Sequence, residues 1–486
     1  AVENIIPLEN GFTLFSTGIP DVWTPIDHLA IVWCNQLREV IGKLLLETVS
    51  SNRKEKVLPL DERMAISRRF LLSGLEEYAF RDLNLADPQH HFKNYDSKDF
   101  EGAEVIELNE KFTVSSNNID ISARHAKFIL PESDPTTVFY FLTSMSFTSM
   151  LFCKESETIN EENGSTLECV DAEPNLLHIP ASSEYTDSPG DSAMDGNSEP
   201  FKFLELDGRV FSHYDFVLLK SPNLADITNE DFTIAGVSSG INISVSNVTP
   251  LDVALHGFEI KLNSQFLWHE ISFPNLWESL IAYELDVKMD YNEGDPIFQP
   301  FIRQWNHDPA ETKWHVNVAH SRPNIFMHNV APFVPLEETH DKALKLKVFQ
   351  PPNSNLRLKM KINWKMTLQM LFLRYRLSFL ALPISAVSII MAYQFFWYNK
   401  TSNFMNFRDA LSLILYKYWI LITAVLLALS PIVNSRIVQK LLFALDPLGF
   451  NRPFLLEDIH MHANVYFLGI RNKYMLGLGL FFAIMT

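Results

Sequence analysis

LSFLALPISAVSIIMAYQFFW, Leu377–Trp397, runs for 21 residues without a charge. About 20 apolar residues in a helix cross a ~30 Å hydrocarbon core, so this stretch predicts a transmembrane helix around which the rest of the chain is arranged. A second span is expected over 411–433, with Lys417 near its start, Pro431 near its end and Tyr416, Tyr418 and Trp419 where interfacial aromatics sit. Residues 475–486, MLGLGLFFAIMT, are apolar but too short to cross, and read as a truncated third span. The N-terminus has neither an initiator Met nor a basic segment followed by an apolar core. Both ends are therefore expected to be internal to a longer protein, with 369–486 forming the membrane region.

Upstream of the first span the hydrophobic period changes to two. Runs such as AKFIL (126–130), TVFYFL (137–142), FKFLEL (201–206), RVFSHYDFVLL (209–219), FEIKL (258–262), ALKLKVF (343–349) and LRLKMKINW (356–364) are separated by Asn, Gly, Pro and Ser clusters. The pattern predicts an all-β, jelly-roll-like sandwich over 96–368. The last two runs are expected to form a hairpin, with Leu344, Leu346, Val348, Leu356, Leu358 and Met360 on the buried face. Lys345, Lys347, Arg357, Lys359 and Lys361 fall on the other face. Close to the bilayer, that basic face is a candidate contact for lipid headgroups, and a solvated sheet face is the commoner alternative.

The formal net charge of −18 is concentrated between Glu155 and Glu199, where twelve acidic residues occur without a Lys or Arg. Its Ser, Gly and Pro content predicts a flexible, solvated loop over 155–199. No basic stripe with interleaved aromatics is present, which argues against a nucleic-acid partner. Cys153 and Cys169 flank part of the acidic segment and are candidates for a disulfide contributing about 3 kcal/mol, with two free thiols as the alternative. Asn163, Asn242 and Asn247 head glycosylation sequons, consistent with a secretory-pathway lumen; Asn399 heads a fourth beyond the first span and would face the cytosol. Arg374 and Arg376 before the span would by the positive-inside rule place the β-region in the cytosol, but Lys400, Arg408 and Lys417 on the other side nearly balance them.

Residues 1–95 read differently. GFTLFST (11–17) is strand-like, and Leu29, Val32, Trp33, Leu37, Val40, Ile41 and Leu44 recur at helical spacing. Thr24, Pro25 and Asp27 match an N-cap, a first-turn proline and a capping box. A second helix is expected within 61–80.

Chemistry has few candidates. Gly236-Val237-Ser238-Ser239-Gly240 matches G-x-S-x-G, the nucleophile elbow, but β-like INISVSNVTP follows it where an elbow requires a helix; Ser238 reads as a turn serine. Asp458-Ile459-His460-Met461-His462 lacks an evident third metal ligand. His28 is a candidate general base, because strand, loop, histidine and helix follow one another as they do near the end of an α/β-hydrolase domain; on the residues alone, an ordinary surface or core histidine in the first turn of a capped helix is the commoner reading.

VWTPIDHLAIVWCNQL (22–37) resembles the end of the lipase domain in the GPI inositol-deacylases, the fungal enzymes especially. LLSGLEE (71–77) and MLFLRYRLSFLALP (370–383) add to the resemblance. It implies that 1–95 is the C-terminal edge of an α/β-hydrolase domain. It also implies a multi-pass endoplasmic-reticulum membrane protein with its lipase and sandwich parts in the lumen. Such a protein hydrolyses the acyl ester on the inositol of GPI-anchored proteins, with no cofactor. Only His28 takes a place in the Ser-His-acid triad; the serine and the acid would precede Ala1 in chain order, and this chain alone would be inactive. The competing reading is a non-enzymatic lumenal recognition or cargo-receptor module.

Overall fold

The computed structural model describes residues 10–416, apart from connecting stretches, of which 77–84, 115–124, 221–231 and 328–342 are the longer, and isolated positions including His28. Residues 1–9 and 417–486 lie outside the described set, and with them the rest of the second expected span, all of the third, and His460 and His462.

Two α-helices open the described chain: α1 (Asn35–Glu47) and α2 (Leu60–Leu71). The strands of the first β-unit follow as β1 (Lys93–Asp96), β2 (Glu104–Glu107), β3 (Thr113–Val114), β4 (His125–Ile129), β5 (Val138–Thr143), β6 (Ser149–Asn160), β7 (Gly164–Asp171), β8 (Leu177–Ile179), β9 (Phe201–Asp207), β10 (Phe216–Lys220) and β11 (Thr233–Ser238). The second unit comprises β12 (Asn242–Ser244), β13 (Phe258–Leu262), β14 (Trp268–Phe273), β15 (Tyr283–Tyr291), β16 (Phe301–Trp305), β17 (Thr312–His315), β18 (Asn324–Ile325), β19 (Leu344–Phe349) and β20 (Ser354–Ile362). Between these strands lie α3 (Gly208–Phe211) and α4 (Pro250–His256); α5 (Trp364–Arg374) and α6 (Arg376–Thr401) follow them.

The strands form four sheets: sheet I in the order β1-β7-β6-β10-β4-β2, sheet II β3-β11-β5-β9-β8, sheet III β12-β14-β19-β16-β17 and sheet IV β13-β20-β15-β18. The sheets stack. Phe128, Phe152 and Val217 of sheet I meet Phe139, Phe141 and Leu204 of sheet II. The other side of sheet II, with Tyr140, Leu142, Phe201 and Phe203, meets Trp268, Phe301, Trp314 and Phe349 of sheet III. Ile271, Leu346 and Val348 of sheet III then close on Leu285, Leu358 and Met360 of sheet IV. The β-region is thus two sandwiches packed face to face, where the sequence pattern predicted one. Sheets II and III are covered on both faces, which is why VFYFLT and TIAGVS carry apolar or small residues on both sides of the strand.

Two further expectations change. RVFSHYDFVLL is not one strand: Asp207 caps α3 by accepting from Arg209 N, and the chain passes from β9 of sheet II to β10 of sheet I. The acidic segment 155–199 is largely ordered structure, holding half of β6, all of β7 and β8, and a stretch in which Ala181, Ser182 and Thr186 are buried. Acidity there resides on side chains that leave Leu167, Cys169 and Val170 free to face the cores. Cys153 and Cys169 are directly paired across β6 and β7 and joined by a disulfide that staples this hairpin.

The basic hairpin is also absent. β19 belongs to sheet III and β20 to sheet IV, so the two strands never pair. Lys347 is buried between sheets II and III, whereas Arg357, Lys359 and Lys361 lie on the outer side of sheet IV. There Lys359 stands opposite Glu259 and Asp286, Lys361 opposite Glu284, and Arg357 pairs with Glu259 at 3.8 Å. Sheet IV thus presents a mixed-charge surface rather than a cationic one, and Lys345 and Lys347 are on a different layer.

α6 is helical over 26 residues with Pro383 inside it. Among the described residues no helix is long and apolar enough to cross a membrane; the side chains of 376–382 and 385–386 lie outside that set. A turn follows in which Gln394 donates to Met405 O at 2.8 Å, and a further helix begins at 407.

Candidate active site

The segment bearing His28 is anchored to the β-region through the residues that precede it. GFTLFST forms no strand among the described residues; Ser16–Gly18 is a 3-10 turn, and Thr17 Oγ1 donates to Thr312 O of β17 at 2.6 Å. Asp21 and Trp23 both adopt left-handed backbone, with φ of 61° and 42°. Such strain at a bulky residue costs on the order of 1–3 kcal/mol and persists only where the surroundings impose it. Here the Trp23 side chain is enclosed in the core between sheets II and III, in a cluster with Tyr140, Ile179, Phe203 and Trp268. Val22 points into a second cluster with Ile19, Leu37 and Val40, which seats α1. Ser16 Oγ donates to Thr24 O at 2.8 Å, and a Cβ at Gly190 would overlap Thr24 Oγ1, so the 3-10 turn over Pro189–Ala193 also closes on this segment.

The expected capping box gives way to this anchoring. No helix starts at Pro25; Asp27 Oδ1 instead accepts from Leu29 N and Ala30 N at 2.7 and 2.8 Å, capping the 3-10 turn Ala30–Val32. α1 begins only at Asn35, and Leu37, Val40 and Leu44 form its buried stripe. His28 itself lies outside the described residues, between Asp27 and Leu29. The described residues that follow in sequence expose apolar side chains: Leu29 and Val32 are each 69% exposed, Trp33 is 65% exposed, and Leu45 and Leu46 of α1 also face outward.

A second tie comes from Leu71–Glu77. α2 ends at Leu71, Ser73 Oγ donates to Glu76 Oε1 at 2.7 Å, and Gly74 takes φ 80° where a Cβ would overlap Leu177. Arg303 of β16 reaches Leu75 O at 3.4 Å. This arginine belongs to a polar layer between sheets II and III. Lys347 stands in register with Glu270 and Arg303, donates to Glu205 of sheet II and lies 4.7 Å above the Trp268 ring. Burial pushes its ammonium below the usual lysine range, while the Glu205 carboxylate opposes that shift. On the other face of sheet III, inside the second sandwich, Lys313 pairs with Glu311 at 2.7 Å and donates to Phe326 O at 2.6 Å. His315, hydrogen-bonded with Gln304 at 3.1 Å, is held by burial and by Lys313 down to about 3. The Lys347 layer, with Glu205 of sheet II and Arg303 of sheet III, joins the two sandwiches. Composition hid it, because Lys345 and Lys347 look like solvated lysines of an outer face.

The remaining candidates fall elsewhere. Ser238 is at the end of β11, opposite Val138, 7% exposed, with β12 following rather than a helix. A Cβ at Gly236 would overlap Tyr140, so this glycine serves packing. Asn242 on β12, the edge strand of sheet III, and Asn247 in the next turn are exposed, while Asn163 lies outside the described residues. Among the described residues no group of three or more His, Cys, Asp or Glu side chains could hold a metal.

Comparison with known proteins places these parts in one family. Residues 1–48 match the PGAP1-like alpha/beta domain, 96–237 the GPI inositol-deacylase beta-sandwich domain and 378–486 the GPI inositol-deacylase transmembrane domain. The middle match ends at β11, where the first sandwich ends. The GPI inositol-deacylase of Eremothecium gossypii is 37% identical over 99% of this chain and 47% of its own length. That of Kluyveromyces lactis is 35% identical over 100% and 48%, and that of Debaryomyces hansenii 30% identical over 99% and 50%. The chain spans about half the length of the curated relatives it matches. Anchored α/β segment, β-sandwich and membrane region occur here in the order the three family profiles describe, and the chain belongs to the GPI inositol-deacylase family.

Proposed function

We propose that the complete protein is a GPI inositol-deacylase of the endoplasmic-reticulum membrane, acting on GPI-anchored proteins, with His28 as its general base. The observation that carries the reading is the match of residues 1–48, which contain Asp27-His28, to the PGAP1-like alpha/beta domain, within a chain whose relatives are named for this activity. The alternative of a recognition module without catalysis is not favoured, since the relatives compared above carry the deacylase name.

In the proposed reaction a serine hydroxyl attacks the acyl carbonyl of the inositol ester while His28 takes its proton. His28 then delivers that proton to the departing inositol oxygen, leaving an acyl-enzyme that water hydrolyses to a free fatty acid and the regenerated serine. The triad acid would orient the imidazole, and backbone donors would stabilise the oxyanion. Asp27 is already committed to the amides of Leu29 and Ala30; its role is to fix the backbone that carries His28.

For the layout, we infer a multi-pass protein with the α/β segment and both sandwiches in the lumen, on the exposed sequons Asn242 and Asn247 and the disulfide Cys153–Cys169. Purified full-length protein given a GPI with an acylated inositol should release free fatty acid and leave the lipid sensitive to phosphatidylinositol-specific phospholipase C. Absence of fatty-acid release from folded protein would remove the deacylase reading.

A further inference from the structure

Two short helices at one end of sheet IV expose apolar stripes. α4 is built on a capping box: Thr249 Oγ1 accepts from Asp252 N at 3.3 Å, and the Asp252 carboxylate accepts from Thr249 N at 2.9 Å. One side of α4 buries Val253 in the core between sheets III and IV, while Leu251 and Leu255, one turn apart, are 66% and 68% exposed. The helix ends at Gly257, where φ is 72° and a Cβ would come within 3.3 Å of Met360 O and 3.7 Å of Lys361 Cγ. That contact puts the end of α4 against the last turn of β20, three residues before α5 begins.

α5 repeats the design. Asn363 Oδ1 caps it by accepting from Met366 N at 3.0 Å, and Asn363 Nδ2 donates to Asn324 Oδ1 at 2.8 Å. Thr367 Oγ1 accepts from Ala282 N at 3.1 Å. These bonds hold the inner side of the helix to β15 and its approach. On the outer side Trp364, Leu368 and Phe372, spaced four apart, are between 56% and 61% exposed, with Lys365 and Gln369 beside them. After residue 375 the chain continues as α6, inside the region that matches the transmembrane domain.

Five large apolar side chains on two helices pinned to the same sheet end, one helix continuous with the membrane region, are more than scattered surface hydrophobics. We propose that α4 and α5 form a docking platform that rests the second sandwich on the bilayer surface, with Leu251, Leu255, Trp364, Leu368 and Phe372 inserted at the headgroup–acyl boundary. An amphipathic helix lying in that plane binds through its apolar side. Charge is secondary here. On sheet IV Lys359 and Lys361 face carboxylates across the strands, while Arg357 stands between Lys261 and Lys288 and pairs diagonally with Glu259; with charges of both signs there, the platform seats on a zwitterionic surface as well as on an anionic one. Docking would fix the height and tilt of the whole stack above the membrane. The inference does not depend on which ester the protein cleaves.

The test uses full-length protein in phosphatidylcholine nanodiscs, with Cys34 and any other free thiol replaced by serine and a nitrobenzoxadiazole probe on L255C. Residue 255 is informative because it is remote in sequence from the membrane region, whereas a probe on α5 would lie near the bilayer in any case. Shallow nitroxide-labelled lipid should cause loss of emission, aqueous iodide should not, and added anionic lipid should change neither result. L251C should behave alike. A probe on Y185C, at a site 93% exposed in the first sandwich, should show the opposite pattern. Iodide quenching at 251 and 255 equal to that at 185 would overturn the proposal. Protection from iodide without quenching by lipid would also overturn it, since a protein surface would then cover the platform.

Discussion

Replacing Trp23 by alanine tests how the His28 segment is held. The side chain is 1% exposed and surrounded by Tyr140, Ile179, Phe203 and Trp268, so truncation leaves a large cavity between sheets II and III. Comparable buried aromatic-to-alanine changes cost about 3–5 kcal/mol. Alanine at φ 42° recovers little of the backbone strain, so little of that loss is offset. The loss should be local at first. Residues 16–47 hang on this anchor, whereas sheets II and III retain their own aromatic contacts. Amide exchange across 16–47 should therefore accelerate by about a hundredfold to a few thousandfold, with β5, β9 and β19 much less affected. W23F, which keeps a ring in the cavity, should lie between the two. Exchange in 16–47 unchanged by W23A would refute the anchoring.

Lys347→Ala should destabilise by about 3 kcal/mol in chemical denaturation, because Glu205 and Glu270 lose the cation between them; pairing K347M with E205L should recover most of it. Acidification should weaken the second sandwich. His315 titrates at about 3 when folded, from an ordinary value of 6.5, so the unfolded chain binds its proton first as pH falls. Stability is full above about 6.5 and is lost progressively toward 3, by about 2 kcal/mol at pH 5 in denaturant titrations; H315Q should flatten that slope. Removing Cys153 and Cys169 together should cost about 3 kcal/mol, read in the denaturation midpoint of the first sandwich. Endoglycosidase treatment of N242Q and N247Q should each show one glycan fewer than the parent, with N399Q unchanged.

Much of this architecture was legible, and the misreadings share a cause. Alternation in LRLKMKI marked a sheet with one covered face, and β20 is on the outermost layer. The same alternation in LKLKVF suggests another solvated face. Periodicity tells which residues share a side of a strand; it does not tell what lies over that side, and Lys347 is covered by Glu205 and aromatic rings of the next sheet. The runs VFYFLT and TIAGVS did carry the missing information, since apolar residues on both sides require two coverings. Near His28 the Thr24–Asp27 spacing fitted a capping box, but burial of Trp23 sets the backbone there and postpones the helix to Asn35. In 155–199 composition averaged over strands whose inward residues are Leu167, Cys169 and Val170. The motif VWTPIDHLAIVWCNQL was the most informative signal for the site, because it records a family rather than a local preference.

The most direct measurement is the H28A variant of the complete protein, expressed in cells that depend on it for inositol deacylation. Its protein level and its exchange protection over 16–47 should equal those of the parent. Newly made GPI-anchored proteins should keep an acylated inositol and resist phosphatidylinositol-specific phospholipase C. If the lipase cleaves them as readily as in cells carrying the parent protein, His28 is not the base and the proposed active site lies elsewhere.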